Sequence, residues 1–202
     1  MKEKDEVVKK GYNKIAKRYH EQRDIYSSTK LLKKFTKYLK NGKVLDLGCG
    51  AGVPIDKYLI KNNYDVTGAD FSDSMINLAK KNVPKAKFMK MDITNIKFKE
   101  NSFDGAVSFY AIIHIPKEKH SKIYKSLHKI IKPNGIILVN CCGSIAWEGY
   151  EENYLGVKMF WSHYEPKKTK EIIEASGFNV IWDKILKIGG EKQYWILAKN
   201  IK

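Results

Sequence analysis

Short apolar runs alternate along the chain with stretches of helical periodicity, and this alternation restricts the fold more than any other feature. Val8, Tyr12, Ile15, Ala16 and Tyr19 fall on one helical face, and a second helix over about Thr29 to Leu39 stops at Asn41-Gly42. An apolar strand from Val44 to Leu47 follows, then a helix near Ile55 to Ile60. The segments YDVTGAD, AKFMKMD and FDGAVSFY read as strands, with DSMINLAKKN as a helix after the first of them. A helix from about Lys117 to Ile131 ends at the turn KPNG, and IILVNCC is a strand apolar enough to be covered on both faces. Residues 143 to 165 read as irregular and aromatic-rich; Pro166 and Gly177 bracket a last helix, and two terminal strands suggest a hairpin. Strand–helix alternation of this kind places a parallel sheet between two layers of helices, a doubly wound α/β fold. The length of 202 residues suits one domain. It divides into N-terminal helices (1–40), a core (41–142), a lid-like aromatic insertion (143–165) and a C-terminal helix with hairpin (166–202).

The stretch VLDLGCGAG places Gly48, Gly50 and Gly52 directly after the first strand. In such a sheet, ligands bind beyond the carboxyl ends of the strands, and glycine lets the backbone turn tightly and approach a ligand with no Cβ in the way. Val53 stands where a dinucleotide G-x-G-x-x-G would need its last glycine, and no Lys-Ser/Thr follows, so neither the pyrophosphate fingerprint nor a P-loop is present. Three acids are in register with the loop: Asp46 on the strand before it, Asp70 at the end of VTGAD and Asp92 at the end of FMKMD. A carboxylate at a strand end can accept both hydroxyls of a ribose or meet an exocyclic amine. Each is also compatible with a turn or cap, but the set favours a ligand carrying positive charge over one carrying phosphate.

These segments, VLDLGCGAG, VTGADFSDSMINLAKKN, FMKMDI and FDGAVSFYAIIHIP, resemble the class I S-adenosylmethionine-dependent methyltransferases, and most nearly their small-molecule branch, which includes quinone-biosynthesis-like enzymes. The resemblance is strong over about residues 40 to 142 and loose elsewhere. It implies a seven-stranded sheet ordered 3-2-1-4-5-7-6 with strand 7 antiparallel, N-terminal cover helices, and S-adenosylmethionine as cofactor with S-adenosylhomocysteine as product. It also implies that Gly48 and Gly50, with Cys49 between them, pass beneath the methionine part while Asp46 supports its amino group. Asp70 would take the ribose hydroxyls, Phe71 and Met75 would flank the adenine, Asp92 would receive its amine, Ile93 would cover the ring and Phe109 would line the methionine side. YNKIAKRYHEQR resembles the family's cover helix, where Tyr12, Tyr19 and Arg23 could reach the cofactor tail; packing accounts for both tyrosines as well.

Methyl transfer is an in-line displacement that asks chiefly for alignment and exclusion of water, and needs a base only when the nucleophile must lose a proton. The candidate bases are His114 in YAIIHIP and His163 in FWSHYEP; His114 is equally suited to packing the loop before Pro116. The aromatic segment around His163 fits a lid over an apolar acceptor pocket.

The formal charge of +16 raises a nucleic-acid reading. Of the 38 basic residues, 36 are lysines spread over nearly every helix, and only Arg18 and Arg23 offer the forked contacts that nucleic-acid sites recruit. FYAIIHIP stands where amino-directed DNA enzymes carry a DPPY-like segment, and Cys141-Cys142 lacks the companion Pro-Cys of cytosine-C5 RNA enzymes. The expected partner is a small-molecule methyl acceptor rather than nucleic acid; an RNA methyltransferase and a non-catalytic cofactor-binding regulator are the alternatives. Cys49, Cys141 and Cys142 form neither a disulfide framework nor, with histidine, a metal-ligand spacing, so no metal is expected. No apolar run approaches a membrane span and MKEKDEVVKK has no apolar block, which sets the cytoplasm as the expected location.

Overall fold

A computed structural model describes residues 2–22, 25–188 and 190–202. Arg23, expected on the cover helix, lies outside the described residues. The chain opens with α1 (Lys2–Gln22) and α2 (Ile25–Tyr38). There follow β1 (Lys43–Leu47), α3 (Ile55–Lys61), β2 (Asp65–Asp70), α4 (Asp73–Asn82), β3 (Lys87–Lys90) and β4 (Phe103–Ser108). After two short 3-10 turns come α5 (His120–Ile130), β5 (Ile131–Cys142), β6 (Trp147–Tyr154), β7 (Val157–His163), α6 (Pro166–Ala175), β8 (Phe178–Ile188) and β9 (Glu191–Asn200).

Seven strands form one sheet in the order β3-β2-β1-β4-β5-β9-β8, and β6 pairs with β7 alone. With that hairpin set aside, the order in chain sequence is 3-2-1-4-5-7-6, as the resemblance implies. Neighbours from β3 to β5 run parallel, and β9 runs antiparallel to both β5 and β8. The sheet is apolar on both faces, which explains its unbroken apolar strands. Along β5, Ile137 and Val139 join a core with α5 and α6, while Ile136 and Leu138 join the opposite core with Leu32 and Phe35 of α2 and Leu59 of α3. Strand alternation also separates the two adjacent cysteines: Cys141 is buried and Cys142 is half-buried.

Two expectations are corrected. Residues 143–165 are not irregular but form mainly the β6–β7 hairpin. The KPNG segment does not follow the helix as a plain turn; β5 already pairs at Ile131, with Phe103 on β4, and residues 132–135 form an irregularity within that ladder, Asn134 taking φ 63°.

The hairpin and α1 together roof the carboxyl end of the sheet. Val8, Tyr12, Ile15 and Ala16 of α1 form a third apolar cluster with Met75, Met159 and Phe160. Gly11 sits mid-helix where glycine lowers helix propensity, yet a Cβ there would lie 3.0 Å from Met159 Cε and 3.4 Å from the Lys158 carbonyl, so its absence permits the close approach of helix to hairpin. Asn13 Oδ1 ties α1 to the start of α4, accepting from Ser72 Oγ at 2.7 Å and from the Ser74 amide at 3.3 Å. Ser72 in turn caps α4 through Met75 N at 3.2 Å.

Candidate active site

The site begins where β1 ends. The Gly48 and Cys49 amides both donate to the Ala69 carbonyl, at 2.7 and 3.0 Å, which folds the loop against β2. Gly48 takes φ +81°, and a Cβ on it would lie 2.2 Å from the Ala111 Cβ, so no other residue fits without rebuilding the loop after β4. At the end of β2 the Asp70 carboxylate accepts from the Gly50 amide at 3.0 Å through Oδ2 and from the Ser72 amide at 2.9 Å through Oδ1. One acid thus fixes the glycine loop and the start of α4 together. A carboxylate has about four acceptor directions, so this clasp is compatible with ligand hydroxyls on the same group.

Gly48, Gly50 and Asp70 open into a cavity enclosing about 570 Å³, counting its mouth. Phe71 and Met75 line it from the α4 side, Asp92 and Ile93 from beyond β3, Phe109 and His114 from beyond β4, and Tyr12 and Tyr19 from the roof. Ten of the expected cofactor residues therefore meet in one cavity. Asp92 stands two residues past the end of β3 rather than on it, exposed, with Oδ1 accepting from the Thr94 amide at 2.8 Å.

Asp46 and Cys49 do not line the cavity. Asp46 is fully buried inside β1, facing Gly68 and Val107 in the ladders. Cys49 is buried beneath the loop with Sγ toward the Gly50 carbonyl at 3.6 Å, and burial, reinforced by Asp56, Asp70 and Asp46, pushes its thiol well above the ordinary range. His163 is likewise elsewhere, in a separate groove with Cys142. Val8, Tyr110, Ala111 and Ile115 line the cavity without having been singled out from the sequence. Tyr110 takes φ +60°, a conformation uncommon for an aromatic residue, and its amide donates to Asn140 Oδ1 at 2.7 Å. Only its place directly after Phe109 could have pointed to it.

His114 is buried, and its two ring nitrogens have distinct partners. Nδ1 lies 2.8 Å from the Phe160 carbonyl of β7, and Nε2 lies 2.7 Å from the Tyr12 hydroxyl of α1. A carbonyl only accepts, so Nδ1 carries the proton and Nε2 accepts from Tyr12. Burial lowers the His114 pKa to about 4, so the ring is neutral near pH 7. This chain of bonds links the loop after β4, the hairpin and the cover helix.

A second space, about 890 Å³ with its mouth, adjoins the first and shares Tyr12, Tyr19 and Tyr110 with it. Tyr154, Leu155 and Trp161 of the hairpin, with Glu191, form its other side. Neither space is lined by a lysine or arginine among the described residues, in a chain of net charge +16. Acids and aromatic faces suit a ligand that carries positive charge. Among the described residues there is no group of three or more His, Cys, Asp or Glu able to hold a metal ion, and no helix long and apolar enough to cross a membrane.

Comparison with known proteins agrees with this geometry. Residues 44–135 match the methyltransferase domain family. The chain is 32% identical over 105 residues to a sterol 24-C-methyltransferase of Aspergillus fumigatus, covering 48% of this chain and 27% of that protein. It is 30% identical over 118 residues to the phosphoethanolamine N-methyltransferase of Plasmodium falciparum, covering 57% and 44%. The chain thus spans less than half the length of these relatives. The crystal structure of Burkholderia thailandensis 1,6-didemethyltoxoflavin-N1-methyltransferase, with bound 1,6-didemethyltoxoflavin and S-adenosylhomocysteine, superposes with a TM-score of 0.77 at 17% identity, covering 99% of this chain and 90% of that one. Residues 44–135 are similar to a methyltransferase domain, and the fold built around them is the one seen in the methyltransferase structure on which it superposes.

Proposed function

We propose that this chain transfers a methyl group from S-adenosylmethionine to a small-molecule acceptor. The observation that carries the proposal is the Asp70 clasp: a strand-end carboxylate fixed by the Gly50 and Ser72 amides, opening with Gly48 and Asp92 into a cavity. Asp70 would hold the ribose hydroxyls, Phe71, Met75 and Ile93 the adenine faces, Asp92 the adenine amine, and the Gly48–Gly50 backbone with Phe109 the methionine end. When bound, the cofactor supplies a methyl group on a cationic sulfur, which leaves as a neutral thioether.

The chain's own contribution is alignment. Alignment of reacting atoms is worth roughly 7–11 kcal/mol of a barrier. Tyr12 lines both spaces, and its hydroxyl is held by His114 Nε2. A ring with both nitrogens engaged and a pKa of about 4 is a weak base at neutral pH. We therefore assign His114 to positioning Tyr12 and the hairpin rather than to proton removal. The acceptor would enter the second space, against Tyr19, Tyr110 and Trp161, so an acceptor with an apolar or aromatic body fits best. The named relatives act on a sterol, phosphoethanolamine and 1,6-didemethyltoxoflavin, all small molecules. A cytoplasmic setting accords with three unpaired cysteines.

Titration calorimetry with S-adenosylmethionine and S-adenosylhomocysteine, on wild type and Asp70→Ala, tests the cofactor assignment. Absence of binding to wild type would sink it. Methyl-donor turnover over a panel of small-molecule acceptors separates an enzyme from a regulator, which would bind both nucleosides and consume neither.

A further inference from the structure

The end of β5 carries a second chemical site. Cys142 Sγ lies 3.0 Å from Ser144 Oγ and 4.0 Å from the Lys192 carbonyl, and the thiol faces a groove of about 1240 Å³, counting its mouth. His163, at the end of β7, lines the same groove; it is 7% exposed and its Nδ1 is buried with no hydrogen-bond partner among the described residues. Trp147, Tyr150 and Trp161 give the groove an aromatic side, and Glu151, Glu191, Lys192 and Gln193 a polar one.

We infer that Cys142 and His163 form a nucleophilic thiol–imidazole site that adds covalently to soft, apolar electrophiles such as conjugated carbonyl compounds. The thiol proton passes to His163. The thiolate sulfur then bonds to the β-carbon of the conjugated system as its carbon–carbon π bond breaks. The electron pair moves to the α-carbon, which takes the proton back from His163. Nothing is oxidised or reduced, and no leaving group departs.

The chain provides its own controls. His163 first, then the Ser144 hydroxyl, hold the Cys142 thiol down at about 7 against the opposing effect of burial. Its neighbour Cys141 is pushed up to about 12 by burial, and Cys49 is raised as well, so both are inert thiols in the folded protein. The other titratable or charged groups about the pair are Glu151, Glu191, Lys192 and Tyr150 on the groove and His120 next to His163. Glu151 is engaged by Trp161 Nε1 at 3.1 Å. The inference does not depend on methyl transfer.

N-Ethylmaleimide labelling of the folded chain across pH 5 to 9, with peptide mapping, tests it. Cys142 should be labelled first, with a rate midpoint at about 7, while Cys49 and Cys141 react only after denaturation. In His163→Gln the midpoint should move to about 8.5, and the rate at pH 6 should fall about 6-fold once the greater nucleophilicity of a more basic thiolate is allowed for. N-Phenylmaleimide should favour Cys142 over N-ethylmaleimide more than it favours free glutathione. Labelling of Cys142 with a midpoint near that of a free thiol, a His163→Gln profile equal to wild type, or equal labelling of Cys141 would overturn the inference. Should His163→Gln not fold, the thiolate ultraviolet absorbance of wild type minus Cys142→Ser must still titrate at about 7; a difference titrating with ordinary thiols overturns it equally.

Discussion

The two walls of the cofactor cavity are built in different ways. The sheet wall consists of backbone amides and short acids at strand ends: Gly48, Gly50, Asp70 and Asp92. The roof consists of side chains carried in from distant elements, Tyr12 from α1 and His114 from the loop after β4, locked to the Phe160 carbonyl of the hairpin. The sheet wall is made by the strands that make the fold, so it is formed whenever the fold is. The roof exists only when three separate elements dock. The sheet wall should therefore govern donor affinity, and the roof should govern turnover and acid sensitivity.

The largest effect expected comes from two buried histidines, His114 of the roof and His120 at the start of α5. Burial lowers His114 and His120 from about 6.5 to about 4. Between these values the unfolded chain binds protons that the folded chain refuses, so stability is present above pH 6.5 and lost as pH falls toward 4. From pH 7 to 5 each histidine should account for about 2 kcal/mol of lost stability. Denaturant titrations at the two pH values measure the loss; His120→Asn should remove about half of it, and an unchanged loss would break the attribution.

On the sheet wall, Asp70→Ala should weaken S-adenosylhomocysteine binding by about 100-fold or more, because hydrogen bonds to a charged group are worth about 1.5–3 kcal/mol each. Calorimetry reads this directly, and an affinity within a few-fold of wild type would show that Asp70 is only a loop clasp. Gly48→Ala should cost about 2 kcal/mol of stability, since its Cβ would meet Ala111 at 2.2 Å in a positive-φ conformation. Thermal melting without ligand checks it.

Tyr12→Phe sharpens the contrast between walls. It removes only a hydroxyl, so kcat should fall about 10-fold, the scale of one lost hydrogen bond of about 1.4 kcal/mol, with donor affinity unchanged. Equal losses in both would place Tyr12 with the sheet wall. The smallest effect expected is for Gly11→Ala. Gain in helix propensity, about 1 kcal/mol, opposes contact with the movable Met159 terminus, and the melting midpoint should hardly change.

Legibility in the sequence follows the same division. The glycine turn, Asp70 and Asp92 could be read because each lies at a short, fixed offset from a strand, and the sheet order was implied by the family that these motifs resemble. The hairpin could not. Strand β6, WEGYEENY, is exposed or half-exposed at every position, so it shows no alternation of apolar and polar residues. His114 and His163 looked alike as residues after strands, and only burial and partners separate a neutral strut from the companion of a thiol. Tyr12 and His114 are 102 residues apart in the chain, and no local pattern foretells their bond.

The ladder that pairs Cys141 with Tyr194 and Cys142 with Gln193 decides which sulfur meets solvent. Side chains on a strand change sides at every step, so deleting a single residue from β5 upstream of the pair would exchange their environments. The inert sulfur would turn outward and the responsive one would turn into the hydrocarbon interior. Which of two chemically identical neighbours is available to the outside world is therefore written in the counting of residues along one strand.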